Sequence, residues 1–407
     1  MASNSIRKTI LGSIVGVFFA FQANAQPYQP NAQLYPSQFY CEPCEACECP
    51  SRFWGSAEYL YWKIQDSPKI IPLIATAPFI PINGPALTQP GAKVVLGGRH
   101  IDNDWRSGGR FTIGYNFDNP YCLSAEASYF FLPQDSRKHK VFSSGAPGSP
   151  FLAVPYFDTL TESESSSPVA VPGMFQGLAR LRVSNWMQGA ELNGWASVYS
   201  NCNYKIGAMI GFRYWNFNEN LKFLVNSPQV GVSNIYQVRD HFDTENNFYA
   251  GQIGLRIDGE CRNFFYNLKG KVALGGVREE LRIKGRFTTN NFDGFGAPQT
   301  FPGGYFALPS NIGRHKRTRF AVMPEVDFNL GYHITNCLDF CVGYTFLYIN
   351  EVLWAGKQLK RNINPTQSSL YEFTPTPTLM GKPSPKASFK QDSLWVQGIN
   401  VGLEYRF

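Results

Sequence analysis

The feature that most constrains this chain is a two-residue alternation of apolar and polar side chains that returns in pairs of segments. Each pair is joined by a few turn residues and separated from the next by a long connection. A strand sends successive side chains to opposite faces, so such alternation marks strands with one apolar and one polar face. The last segment is the clearest case. Trp395, Ile399, Val401, Leu403, Tyr405 and Phe407 fall on one face, and Gly398, Asn400, Gly402, Glu404 and Arg406 on the other.

Four hairpins repeat the pattern. Phe111, Ile113, Tyr115 and Phe117 lead through Asn119-Pro120 to Tyr121, Leu123, Ala125, Ala127, Tyr129 and Phe131. A weaker strand from Trp186 to Val198 turns at Ser200-Asn201 into Tyr204, Ile206, Ala208, Ile210, Phe212 and Tyr214. Tyr249, Ile253, Leu255 and Ile257 turn at Asp258-Gly259 into Phe264, Tyr266, Leu268, Val272 and Leu274. Phe320, Val322, Val326, Phe328, Leu330 and Tyr332 turn at Thr335-Asn336 into Leu338, Phe340, Val342, Tyr344, Phe346 and Tyr348.

With an opening strand in FWGSAEYLYWK and the closing one, these give about ten strands, within a range of roughly 10 to 16. The intervening stretches, Ile64 to Ser107, Pro133 to Leu181, Asn216 to Asn247, Gly276 to Arg319 and Asn350 to Ser393, are too long for a compact soluble domain. They suit the outer loops of a transmembrane barrel, whose other rim carries short turns. The stretch around Ile235 to Phe242 has room for a further strand. A soluble sandwich explains the pattern less well, because every strand carries an apolar, aromatic-ended face in need of cover. Composition agrees: aromatic residues are 15% of the chain, with 37 glycines, while charged residues are only 16%. The predicted fold is an all-β, transmembrane antiparallel β-barrel with long extracellular loops and short periplasmic turns.

The amino-terminal region reads as an address. Arg7 and Lys8, the apolar run Ile10 to Phe21 and Ala23-Asn24-Ala25 form a signal peptide over 1–25, too short in its apolar part to span a membrane. Residues 26–51, rich in Pro, Gln and Asn, read as a flexible periplasmic arm, and 52–407 as the barrel. The formal charge of +7, or +5 without the leader's Arg7 and Lys8, is too mild to argue for nucleic acid.

The nine cysteines are distributed unevenly. Cys41, Cys44, Cys47 and Cys49 lie in the arm; Cys122, Cys202, Cys261 and Cys337 each sit at a short turn; Cys341 follows just inside a strand. If short turns are periplasmic, all share one oxidising side, which favours disulfides over a metal site. All nine are disulfide candidates, within the chain or to neighbouring envelope proteins or copies. The odd total leaves at least one thiol free or intermolecular.

Charges on the polar face belong in a lumen, because facing lipid they cost about 2–4 kcal/mol at the midplane. The pore-lining candidates are Glu58, Arg110, Glu126, Glu191, Lys205, Arg213, Arg256, Lys269, Lys271, Glu325, Asp327, Glu404 and Arg406. Two basic runs in long connections, Arg137 to Lys140 and Arg314 to Arg317, read by default as ordinary solvated loop charge, with contacts to lipopolysaccharide phosphates or an inward fold that attracts anions as the alternatives. Trp54, Trp62, Trp186, Trp195, Trp215, Trp354 and Trp395 are candidates for interfacial girdles or loop cores.

The segments FWGSAEYLYWK, GGRFTIGYNF, AEASYFF, NWMQGAELNGW, GFRYWNFNE, NFYAGQIGLRIDG and LGYHITNCLDFCVGYTFLYINE resemble those of the Legionella-type pore-forming outer-membrane protein family, including the major-outer-membrane-protein-like porins of Chlamydia-related bacteria. The resemblance covers almost all of Phe53 to Phe407. It implies a surface-exposed porin of the bacterial outer membrane, built into a cysteine-linked envelope and lacking cofactors. Tyr405 and Phe407 resemble the carboxy-terminal signal read by the barrel assembly machinery.

The expected function is passive diffusion of ions and small hydrophilic solutes, with a mainly structural or adhesive role as the alternative. An enzyme is not expected. His100, His139, His241, His315 and His333 are scattered, and no H-E-x-x-H, G-x-S-x-G or phosphate-cradling motif occurs. A triad assembled across strands would be invisible to such a search.

Overall fold

A strand in hydrocarbon must have both backbone edges paired, and the only sheet that satisfies this is one closed on itself. The computed structural model describes residues 52–77, 86–118, 122–200, 204–232, 234–290 and 296–407. The predicted leader and arm, with Cys41, Cys44, Cys47 and Cys49, and also Cys202 lie outside the described residues.

The strands in chain order are β1 (Phe53–Ile64), β2 (Pro72–Ala77), β3 (Lys93–Gly97), β4 (Trp105–Asn116), β5 (Ser124–Ser143), β6 (Phe151–Asp158), β7 (Ser163–Ala170) and β8 (Gly177–Ser200). They continue with β9 (Tyr204–Asn226), β10 (Tyr236–Cys261), β11 (Phe264–Thr289), β12 (Gln299–Pro302), β13 (Gly313–His333), β14 (Leu338–Leu353), β15 (Asn362–Ile363) and β16 (Gln391–Arg406). Ten of them form an antiparallel ring in the order β1, β4, β5, β8, β9, β10, β11, β13, β14, β16. The ring closes where β16 pairs with β1 from Trp54↔Arg406 to Ile64↔Val396.

One rim holds both ends of the barrel and its tight turns. Phe407 N donates to Phe53 O at 2.9 Å. Pairing of β10 with β11 runs on to Cys261↔Phe264, so that turn is Arg262-Asn263, with Arg262 at φ +57, rather than the expected Asp258-Gly259. Among the cysteines described, Cys122 and Cys337 are disulfide-bonded. Cys261 and Cys341, expected as disulfide partners, are free thiols. Cys261 stands opposite Phe264, and Cys341 lies between Gly331 and Gly402, so neither faces a second thiol across its strand pairs.

The ring strands differ in length, from 12 residues in β1 to 26 in β10 and β11. Crossing a bilayer takes about 9–11 tilted residues, so the taller strands rise well beyond it. Their side-chain polarity records the change of solvent. Near the turn rim, β9 points Ile210, Phe212 and Tyr214 outward and Met209 and Arg213 inward; Ile210 is 73% exposed. Farther along the same face come Asn216, Asn218, Asn220 and Lys222, while Trp215, Phe217, Leu221, Phe223 and Val225 are buried inside. The period stays at two; the sign of the pattern flips. The expected connections Asn216 to Asn247 and Gly276 to Arg319 are therefore largely strand, and only residues 227–235 separate β9 from β10.

The girdle residues follow the same logic. Tyr59, Trp105, Tyr129, Tyr249, Phe264, Tyr266, Tyr332, Tyr344 and Tyr405 face out. Of the tryptophans expected in girdles or loop cores, Trp62, Trp195, Trp215 and Trp354 are buried inside, at 2% exposure or less.

Above the polarity switch the interior is packed like that of a soluble protein. A small sheet of β15, β6, β2 and β3, with β7 on β6, is held inside the mouth. Its Leu73, Ile74, Leu152 and Val154 share one core with Leu181, Phe223, Val225, Phe242, Leu281 and Phe287 of the wall. Asp240 ties this cap down: its carboxylate accepts from Tyr305 N (3.0 Å), Phe306 N (3.2 Å) and Ala307 N (3.0 Å). Burial pushes the Asp240 carboxyl up to about 7, against the opposing pull of those three N–H groups.

Two predictions follow from this two-solvent wall. Ile210→Arg, in the lipid-facing band, should cost about 2–4 kcal/mol in urea unfolding from vesicles. Asn218→Arg, on the same face above the switch, should cost less than about 1 kcal/mol. For Asp240, a folded-state value above the unfolded one means that the native state holds the proton longer. Its contribution is full below the unfolded value near 3.8 and is lost as pH rises towards 7. Stability should therefore fall across that window by at most about 1.4 kcal/mol per pH unit, and Asp240→Asn should remove this slope whatever its absolute stability.

Candidate functional site

Inward-facing side chains of the membrane-level lumen are mostly polar or small, and they meet in a single belt. All thirteen charged candidates lie on the lumen face. Eight of them, Glu58, Arg110, Glu126, Glu191, Arg213, Lys271, Glu325 and Asp327, converge at mid-height. Arg213, 1% exposed, bonds both Glu191 and Glu325. Lys271 Nζ lies 2.6 Å from Glu325, 3.2 Å from Glu191 and 3.4 Å from Asp327. Arg110 reaches Glu58 at 3.5 Å and Asp327 at 3.6 Å, and its guanidinium stands 5.2 Å over the Trp62 ring.

Neutral side chains, which a search restricted to charges missed, complete the belt. Trp62 Nε1 donates to Asn400 (2.7 Å), Asn400 to Thr345 (2.8 Å), and Thr345 to Asp327 (2.6 Å). On the other side Gln252 donates to Glu191 (3.0 Å) and Asn193 to Glu126 (3.1 Å). Every one of the ten barrel strands thus contributes at least one group: β1, β4, β5, β8, β9, β10, β11, β13, β14 and β16. The signal for the neutral members was strand parity. Asn400 sits between Gly398 and Gly402 on a face already read as polar. Glycine makes the room: a Cβ on Gly211 would stand 2.1 Å from Asn193 Oδ1.

The remaining five candidates, Lys205, Arg256, Lys269, Glu404 and Arg406, line a vestibule of about 400 Å³ between the belt and the turn rim. Arg256 pairs with Asp258 at 2.7 Å and covers the Trp195 ring at 4.6 Å. Arg406 donates to Asp339 at 2.7 Å. The two basic runs lie in strands rather than loops. Arg137 pairs with Asp104 at 2.5 Å, Arg314 with Glu280, and Arg317 with Glu279 at 2.8 Å.

Above the belt the lumen is closed by side chains. Leu60, Phe130, Met187, Trp215, Phe217, Phe248, Met323, Leu347 and Trp354 form one buried cluster. Trp354 meets Phe217 edge-on at 5.2 Å. The chain leaving β14 is fastened there: Leu353 N donates to Asn246 (2.7 Å) and Ala355 N to Glu219 (2.7 Å), which also accepts from Ser67 (2.7 Å). Burial raises the Glu219 carboxyl above its ordinary range.

A closed ten-stranded antiparallel ring with an apolar outer band and a charged lumen defines an outer-membrane β-barrel. Within that class, residues 54–407 match the family described as Putative beta barrel porin-7 (BBP7), and the chain belongs to that family. The match supports the porin-like part of the expected resemblance and not its Legionella-type assignment. No curated protein matches the sequence.

Solved structures similar to the barrel include the outer membrane protease OmpT from Escherichia coli, at 10% identity and TM-score 0.43, over 89% of this chain and 98% of that one. A deletion mutant of TodX, a monoaromatic hydrocarbon channel, gives 8% identity and TM-score 0.22 over 88% and 91%. A porin gives 10% and 0.15 over 87% and 99%. The expectation that this chain is not an enzyme is corrected by the first of these, because an enzyme is found among barrels of similar fold. At that identity the likeness concerns fold alone, and the reading below rests on the family and on this chain's own lumen.

Removing one partner of a buried ion cluster leaves uncompensated charge and costs about 3–5 kcal/mol. Arg213→Met should therefore destabilise the refolded barrel by that amount, with Glu191 and Glu325 left to share Lys271 alone. Unchanged urea unfolding in vesicles would remove the belt as a determinant of the closed state.

Proposed function

We propose that this porin-family barrel is gated: it passes ions and small hydrophilic solutes when the apolar layer above the belt yields together with the cap in the mouth, and the closed lumen is its resting state. The observation that carries this reading is the ring of ionisable groups supplied by strands all round the lumen at membrane depth. A lumen that only had to be filled could be filled with apolar side chains, as the layer above it is, and buried ion pairs are often no better than well-packed apolar replacements. Ionisable groups held at such depth are the expected marks of a solute or ion path.

The plug supports gating by its position. It is made of side chains and one strap, Trp354–Gln358, rather than of barrel backbone, so it can move without breaking the ring. The belt counts five carboxyl groups against three basic ones, which favours cations at the narrowest level. The filled, narrow lumen also favours a second reading, a structural or surface-contact barrel with little conductance.

Planar-bilayer recording of the chain from Gln26 to Phe407 separates the two. The gated reading expects rare, brief openings in the wild type. The double variant Trp354→Ala, Phe217→Ala should open far more often, with a reversal potential of cation-preferring sign under a salt gradient. Silence from both chains, each shown to be folded by its urea transition, would establish the structural reading instead.

A further inference from the structure

Strand register brings positive charges together on the outer wall above the lipid-facing band, far from the lumen. One cross-strand row reads Lys138, Arg182, Lys222, His241, Lys284 across β5, β8, β9, β10 and β11. The next row reads Lys140, Arg180, Leu224, Arg239, Arg286 across the same strands. All eight lysines and arginines are exposed, and among the described residues none is in an ion pair. Like charges directly opposite one another destabilise a sheet, so two stacked rows of them are a cost that an anionic ligand would offset.

The same outward face, followed towards the turn rim, identifies the ligand. Below the basic rows the same outward face carries Asn220, Asp243 and Arg282, then Trp186, Asn218, Glu245 and Glu280, then Asn216 and Asn247, and below these Tyr214 and Tyr249; it becomes lipid-facing with Leu192, Phe212, Ile253 and Leu274. Two depressions mark the surface, of about 530 Å³ beside Trp186, Tyr214 and Asn218, and about 890 Å³ beside Arg182, Lys222 and Lys284. Apolar contact, then a level of aromatic, amide and carboxylate groups able to hydrogen-bond sugar hydroxyls, its carboxylates Asp243 and Glu280 already engaged by His241, Arg282 and Arg314, and then the unpaired cations of the two rows follow one another in space.

Distance decides which lipid could span this series. From Tyr214 to Lys222 is eight residues, roughly 27 Å along a strand at ~3.4 Å each, or about 20 Å along the membrane normal at a ~40° tilt. A phospholipid headgroup ends within about 5–8 Å of the hydrocarbon. An acidic oligosaccharide carried on an outer-leaflet lipid reaches the rows.

We infer that the outer face of β8–β11 binds lipopolysaccharide, with its acyl chains on the lipid-facing band, its sugars on the Trp186–Asn218 level and its phosphates on the two basic rows. The site is independent of the lumen and of whether the barrel conducts.

The test measures binding of the full chain in detergent to phosphorylated lipopolysaccharide, to the same material after enzymatic dephosphorylation, and to phosphatidylglycerol micelles, with inorganic phosphate as competitor. The variant Arg182→Glu, Lys222→Glu, Lys284→Glu reverses three exposed charges. Lipopolysaccharide affinity should drop about tenfold or more, the equivalent of ~1.4 kcal/mol, both in the variant and on dephosphorylation. Rising ionic strength should weaken it in the wild type. Equal binding of phosphatidylglycerol, full displacement by millimolar phosphate, or unchanged affinity in the variant would each overturn the proposal. Should the triple variant fail to fold, Lys222→Gln with Lys284→Gln is read against the same three ligands, and unchanged affinity there counts equally against it.

Discussion

The structure depends on one constraint: a strand in this wall serves two solvents in succession, and each demands the opposite side-chain polarity. In hydrocarbon the outward face must be apolar and the backbone fully paired. In water the same face must be polar and the inward face must supply the core. β9 meets both demands without leaving its ladder, passing from Ile210 and Phe212 outside to Leu221 and Phe223 inside. The cap, the plug and the lumen belt all take their positions from where that switch falls.

Below the switch, the belt answers a different demand. Charged groups drawn inward by the exclusion of charge from lipid must satisfy one another, because the lumen is too narrow to hydrate each of them separately. Arg213 between two carboxylates and Lys271 among three acids do this across the ring rather than along a strand. Above the switch the same inward positions carry Trp215, Phe217 and Phe248, and the polar path ends.

Much of this was legible in the residues themselves, and each part that was not has its own physical reason. The alternation in Trp395 to Phe407 and in the hairpins is strong because lipid tolerates few exceptions on the outward face, so the ring and its charged lumen residues could be read directly. Strand length could not, because a template with the apolar face outside stops matching at Tyr214 although the strand runs on to Asn226. Residue type alone leaves Trp62 and Trp215 open between girdle and loop core, whereas strand parity points both inward. The partners of Asp240 lie more than sixty residues away in chain, at Tyr305 to Ala307, with no local pattern to announce them.

The belt also bears on how such a barrel reaches its final form. Its hydrogen bonds run from Trp62 on the first strand through Asn400 on the last, so they become complete only when the two ends of the sheet meet. A partly zipped sheet holds carboxylates and guanidinium groups at an open, wet seam, and a strand displaced by one residue turns them into the lipid. The lumen chemistry therefore acts as a proof-reading device for assembly: it rewards one register and one strand count, and it does so at the last step, when the cylinder shuts.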